Sequence, residues 1–257
     1  MTKFRALVPV DPSILSSYGK KALFHLAGGQ ACDDTAASLL ALCAEFPWMR
    51  VTDCFRDVST QIALRKRYDH WVASGKPKQY IEGKKNPAYN DKTMKNAFVA
   101  TPGKSLHNAG RAVDLNTELM QKHLGAQYLD AFWPIAAKHG FTPIIARPDE
   151  GKSESWHFDH KGSWLPVFVK YGADVGSLCC TLDVGQAGEF QSDNRLIQAL
   201  LLRAGYDIGA PDGVLGKKSC AALAACGVQD PGSVPNDAII EKLRALSWGT
   251  GHWVTVS

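Results

Sequence analysis

No stretch of this sequence approaches the ~18–20 consecutive apolar residues that a membrane-spanning helix needs, so no span is expected. The first residues, MTKFRALVPVDPSILSSYGKK, hold no apolar run of signal-peptide length and no small-residue cleavage site after one. That predicts a chain made in the cytoplasm without a secretion signal. The seven cysteines, Cys32, Cys43, Cys54, Cys179, Cys180, Cys220 and Cys226, form no CxxC pair, which removes support for a thiolate zinc site and leaves reduced, buried thiols as the expectation. An excess of one charge is also missing. The formal net charge of +4 is too small to argue for nucleic acid, although it would not hinder approach to an anionic polymer. No internal repeat is visible, so a solenoid is not expected. Core-forming residues are not scarce. Hydrophobic residues make up 45% and charged residues 21%, so wholesale disorder is excluded, and 257 residues are comfortable for two domains.

Helical spacing of apolar residues predicts a helix over 35–46, with Asp33, Asp34 and Thr35 as caps, and a second over 58–71, capped by Ser59. Short strands are expected at 50–55, 111–116, 141–147 and 156–159. Residues 125–139 suit a helix ended by Gly140, with Pro134 starting or kinking it. Residues 74–104 hold many lysines, prolines and glycines and read as a long loop region, a kind that is often functional. Residues 148–155 read as a polar turn and 163–172 as a final short helix. The pattern then becomes helix, Gly/Asp-rich turn, helix from about 187 to 227.

Histidine is sparse, at eight residues. Two of them stand in unusual company. The stretch SLHNAGRAVD, Ser105 to Asp114, offers His107 and Asp114, with Gly110 free to turn sharply between them and Ala112 keeping the neighbouring face small. The stretch ESWHFD, Glu154 to Asp159, offers His157. Two histidines and a carboxylate are the donor set of a catalytic zinc site, which wants about three protein ligands and one open position. Glu154, three residues before His157, would be the general base that takes a proton from the attacking water. Trp156 and Phe158 would line or back the site. His160, an odd number of residues from His157, would point to the opposite strand face.

The pattern S-x-H-x-x-G-x-A-x-D, followed some 40 residues later by E-x-W-H, resembles the zinc D-alanyl-D-alanine metallopeptidases of the lysostaphin/D-Ala-D-Ala peptidase/hedgehog group. Ser105, His107, Gly110, Ala112, Asp114, Glu154, Trp156 and His157 carry it. The resemblance implies an α+β fold with a small antiparallel sheet, Zn2+ on His107, Asp114 and His157, and Glu154 as catalytic base and acid. The segment CFRDVSTQ matches the family's upstream arginine and glutamine at Arg56 and Gln61, with Asp57 where serine is usual. Arg56 would stabilise the oxyanion or bind a substrate carboxylate. Its alternative is a structural ion pair with Asp53 or Asp57. Ser105, Gln61 and Trp156 are the candidate substrate-binding residues.

Residues Leu196 to Gly227 resemble a small helical peptidoglycan-binding module. Ile197-Gln198, Leu201, Gly205-Tyr206 and the loop Gly209 to Gly216 carry this second resemblance. Ser219 stands where the module has threonine, and no Phe-Gln follows the last helix. Gln198, Tyr206 and Asp212 are the candidate wall-binding residues, and a generic packing hairpin is the alternative.

The expected architecture is therefore α+β. A catalytic domain over 1–172 has a small antiparallel sheet with flanking helices carrying the zinc site, a linker or the entry to a second unit covers 173–186, and a small all-α module covers 187–257. Residues 228–257 are unexplained by the module. The expected function is a zinc peptidase of peptidoglycan stem peptides, monomeric and without nucleic-acid partners. The wall module and the absence of a secretion signal look like a phage endolysin that reaches the wall at host lysis. A D-alanyl-D-alanine carboxypeptidase, or a non-catalytic wall-binding protein with a structural zinc, are the alternatives.

Overall fold

The computed structural model describes residues 7–16, 29–146, 154–182 and 190–248. The chain enters through a two-stranded antiparallel pair, β1 (Leu7–Pro9) and β2 (Gln30–Cys32). Helix α1 (Asp33–Glu45) follows directly, with Asp33 and Asp34 in its first turn where the helix dipole favours negative charge. Strand β3 (Val51–Asp53) leads to helix α2 (Val58–Ala73). The α2 cap is Asp57, not Ser59. Its carboxylate accepts from the Thr60 backbone N–H at 2.7 Å, and the Ser59 hydroxyl donates to the same side chain. A carboxylate at that position satisfies an orphan N–H and meets the positive end of the helix dipole.

The long loop region contains a minimal hairpin, β4 (Tyr80–Ile81) and β5 (Lys84–Lys85). Strand β6 (Ala112–Leu115) is followed by helix α3 (Thr117–Leu124), for which the sequence reading assigned nothing. Asn116 caps it by accepting from the Leu119 N–H at 3.0 Å. Helix α4 (Tyr128–Lys138) carries Pro134 within it and ends before Gly140, which is left-handed at φ +79°. Strands β7 (Phe141–Pro143) and β8 (His157–His160) complete a four-stranded antiparallel sheet in the order β3-β6-β8-β7. The mixture of helices and small antiparallel sheets is α+β, as expected. Most of the 148–155 turn lies outside the described residues, as do His25, His252 and Trp253.

Helix α5 (Leu165–Cys180) is interrupted at Gly172, the residue at which the final short helix was expected to end. Gly172 adopts φ +83°, ψ 175° and kinks it, but the helix resumes and runs on to Cys180. Residues 173–180 are helical, and Val175, Leu178, Cys179 and Cys180 are buried. Residues 183–186 of the expected linker lie outside the described residues. Helices α6 (Asp193–Arg203), α7 (Lys217–Ala225) and α8 (Asn236–Trp248) follow. Helix α8, within the stretch the module left unexplained, packs Ile239, Ile240 and Leu243 into the core.

Two large apolar cores result. One lies between the sheet and helices α1 and α4, built on Leu39, Leu42, Val113, Phe132, Phe141 and Phe158. The other joins α5, α6, α7 and α8 to Val58, Leu106, Ala109 and Ala112. The C-terminal helices therefore share a core with the segment that carries His107.

Candidate active site

Strand register brings the two stretches together. Asp114 on β6 stands directly opposite His157 on β8, and Asp53 on β3 stands on the other side of Asp114. Alternation sends Val113 and Phe158 into the core beneath the sheet and Asp114 and His157 to the opposite face. His107 reaches them from a short 3₁₀ turn, Leu106–Ala109, that closes on Gly110 in the left-handed region at φ +62°. A side chain at Gly110 would also meet Leu7 Cδ2 at 2.6 Å and the Cys32 backbone nitrogen at 2.9 Å.

Three ligand atoms converge. His107 Nε2 lies 3.2 Å from His157 Nδ1 and 3.2 Å from Asp114 Oδ1, and His157 Nδ1 lies 3.1 Å from Asp114 Oδ1. Donors about 2.1 Å from a tetrahedral ion stand roughly 3.4 Å apart, so this triangle fits one face of a zinc site. The outer nitrogens are held too. His107 Nδ1 bonds the Cys54 carbonyl, and His157 Nε2 bonds Asp159 Oδ1 at 3.0 Å. These partners orient both rings toward the shared centre. Burial would push the His157 imidazolium to lower pKa, but its bonds to Asp114 and Asp159 outweigh burial and raise it to about 10. Burial acts on Asp114 in the opposite sense. The neighbouring histidines outweigh it and hold the carboxyl far below the usual range. These three side chains form a group that could hold a metal ion.

The cluster opens into a cleft of about 540 Å³ lined by Arg56, Gln61, Ser105, Glu154 and Trp156 among others. Burial raises the Glu154 carboxyl, although the neighbouring histidines and Arg56 pull the other way. Glu154 also has φ +67°, a backbone conformation sparsely populated outside glycine. Arg56 is paired with Asp53, which settles the partner expected at Asp53 or Asp57, and it still lines the cleft. Gln61, expected at the substrate, is buried with its amide engaged. Its oxygen accepts from Arg56 Nη1 at 3.1 Å and its nitrogen donates to the Ala100 carbonyl at 2.7 Å. That geometry positions Arg56 and the cleft wall rather than leaving the amide for a ligand.

Three contributors escaped the sequence reading. Asp159 had a legible signal, standing two residues from His157 on the same strand face. The Cys54 carbonyl had none, because backbone acceptors carry no residue code. Lys95, in the long loop region, also lines the cleft and belonged to no motif. His160 falls on the opposite face, as expected, with Nδ1 2.9 Å from the Thr35 hydroxyl.

The candidate wall-binding residues are not gathered at an open surface. Gln198 is 2% exposed. It donates to Asp212 Oδ1 at 2.9 Å and accepts from the Gly213 N–H at 2.8 Å, while Asp212 also accepts from the Val214 N–H at 2.8 Å. Gln198 and Asp212 therefore brace the Gly209–Gly216 loop. Tyr206 is half-buried beside Tyr171 and Leu202 in a small groove between α5 and α6.

A buried His-Asp-His cluster beside a half-buried glutamate, on an antiparallel sheet in a cleft, is an arrangement suited to hydrolysis. The sequence pattern of the VanY family, described as D-alanyl-D-alanine carboxypeptidase, matches residues 31–163, just over half the chain. The chain belongs to this family, and is a peptidoglycan hydrolase of the D-Ala-D-Ala carboxypeptidase type. The match spans every residue of the cluster, together with Glu154 and Arg56, and ends before α5. No curated protein matches the chain. No helix among the described residues is long and apolar enough to cross a membrane.

Proposed function

We propose that the chain is a zinc-dependent peptidase that removes the terminal D-Ala from peptidoglycan stem peptides, with zinc on His107, Asp114 and His157. The observation that carries this reading is the triangle of ligand atoms 3.1–3.2 Å apart at the head of the cleft. Bound zinc supplies Lewis acidity to the scissile carbonyl and to the attacking water. Glu154 takes the proton from that water and returns it to the leaving amine. A carboxyl raised by burial suits both halves of the task. Arg56, held by Asp53 and Gln61, faces the negative charge that develops on the carbonyl oxygen. Ser105 and Trp156 contact the peptide from the cleft walls, and Asp159 keeps His157 oriented.

A second reading keeps the chemistry and moves the cut inside the stem peptide, as in a phage endolysin. It is favoured by the C-terminal helices, whose segment Leu196 to Gly227 resembles a wall-binding module. In this reading the C-terminal unit concentrates the catalytic site on the wall, with Tyr206 facing the polymer.

Digestion of purified peptidoglycan by wild type and Glu154→Gln, with and without a zinc chelator, tests both. Loss of terminal D-Ala by mass spectrometry, abolished by the chelator and reduced by at least about a hundredfold in the variant, is the expected result. New amino termini within the stem would select the endolysin reading. No products from wall of several chemotypes with zinc present would sink both.

A further inference from the structure

Three cations line the catalytic cleft: Arg56, Lys95 and Lys104. Two are committed. Arg56 pairs with Asp53, and Lys104 donates to Asp174 Oδ2 at 2.7 Å. Lys95 has no carboxylate partner among the described residues. Burial lowers the pKa of its ammonium, and the nearby guanidinium groups of Arg56 and Arg67 lower it further. The charges of Glu154 and Asp114 act on it favourably, but neither bonds it.

A half-buried, unpaired ammonium is costly unless something answers it. The backbone that presents it is also firmly held. The Lys95 N–H donates to the Arg67 carbonyl at 3.2 Å, and Arg67 Nη2 donates to the Met94 carbonyl at 3.2 Å. Farther along the same wall, Arg65 donates to the Val99 carbonyl at 2.9 Å and Gln61 to the Ala100 carbonyl at 2.7 Å. Helix α2 thus fastens the whole wall, and Lys95 stands on it facing a cleft whose other cations are occupied.

We propose that Lys95 is the specificity residue that receives a free carboxylate of the peptide substrate. This rests on the peptidase reading and deepens it. Lysine acts here as a point charge on a flexible stem, able to follow a carboxylate of variable position. Two carboxylates of a stem peptide qualify by chemistry: the terminal one after the last D-Ala, and the one on D-Glu.

Calorimetry on full-length Glu154→Gln protein separates the possibilities. The probes are the stem pentapeptide L-Ala-γ-D-Glu-L-Lys-D-Ala-D-Ala, the same peptide with a C-terminal amide, and the same peptide with D-Glu amidated. One amide is expected to bind about tenfold to a hundredfold more weakly than the acid, and that arm names the carboxylate. Adding Lys95→Met should abolish the difference, and adding Lys95→Arg should retain it. Equal binding of all three peptides overturns the proposal. So does an equal weakening of all three by Lys95→Met, because Lys95 would then serve the reacting centre. An acid–amide difference that survives Lys95→Met overturns it as well. Wild-type turnover is measured beside the binding. Turnover without an acid–amide difference removes the carboxylate subsite and leaves the peptidase reading. Such a difference without turnover removes the peptidase reading and leaves the subsite. No binding of any peptide overturns both.

Discussion

At the scale of single residues, the centre depends on groups that hold the ligands as much as on the ligands. Asp159 accepts from His157 Nε2 and so fixes Nδ1 toward the cluster. Asp159→Asn keeps the size but removes the charge. With zinc on His107, Asp114 and His157 as proposed, it is expected to weaken zinc affinity about tenfold to a hundredfold with the fold intact, as read by a chelator competition titration alongside circular dichroism. Unchanged affinity would show that the Asp114–His157 register alone sets the ring. Gly110 is a different kind of requirement. Its left-handed backbone and its approach to Leu7 and Cys32 leave no room for a methyl group. Gly110→Ala is expected to cost about 3 kcal/mol or more in urea unfolding, because strain and overlap act together.

At the scale of elements, the site is held between parts that meet far from it. Arg111, 1% exposed, precedes β6 and bonds Asp34 of α1 at 3.0 Å, the Lys161 carbonyl at 3.2 Å and the Ser163 hydroxyl at 3.1 Å. Burial alone would raise the Asp34 carboxyl. The Arg111 guanidinium and the Ser163 N–H outweigh it and hold the carboxyl below its usual range. A depressed carboxylate pKa gives stability that is present above the unfolded value near ~4 and is lost as pH falls through the folded value. Asp34→Asn should therefore cost roughly 2–3 kcal/mol at pH 7, leaving Arg111 short of a charged partner. The gap to wild type should narrow as pH falls below about 4, where wild type loses the same contribution. Urea melts at pH 7 and pH 3 check both values, and a gap that widens in acid would refute the assignment. Helix α2 makes the complementary attachment, fastening the 94–101 wall through Arg67, Arg65 and Gln61.

At the scale of the whole molecule, the question is whether the C-terminal helices are a tethered passenger. Val175, Leu178, Cys179 and Cys180 of α5 are buried in one cluster with Leu196, Ile197 and Leu200 of α6, and Leu106 and Ala109 beside His107 join the same cluster. Truncation after residue 182 would leave that apolar surface in water. The shortened chain is expected to melt at least about 10 °C lower than the full chain, or to precipitate, in a thermal scan. An unchanged melting temperature would mean that the shared core contributes little and that the C-terminal unit is separable. Residues 173–180, expected as a linker or the entry to a second unit, form a helical segment that starts after the break at Gly172. Gly172, at φ +83° and ψ 175°, leaves the helical conformation and separates the two helical segments of α5. Gly176 lies so close to the Phe168 ring that a methyl group there would sit 2.6 Å from it.

Sequence by itself determined the donor set, the alternation that sends His157 and His160 to opposite faces, and the helical cores of α1, α2, α4 and α6. These rest on residue identity and local periodicity, which the chain carries at every point. Only the tertiary structure decided that Asp114 stands opposite His157 and that a carbonyl at Cys54 orients His107. It alone committed Gln61 to Arg56, made Asp57 the cap of α2, and brought Lys95 from an unpatterned loop to the cleft. Strand register and the path of a long loop are settled by packing between segments far apart in sequence, and no local pattern records where such segments meet.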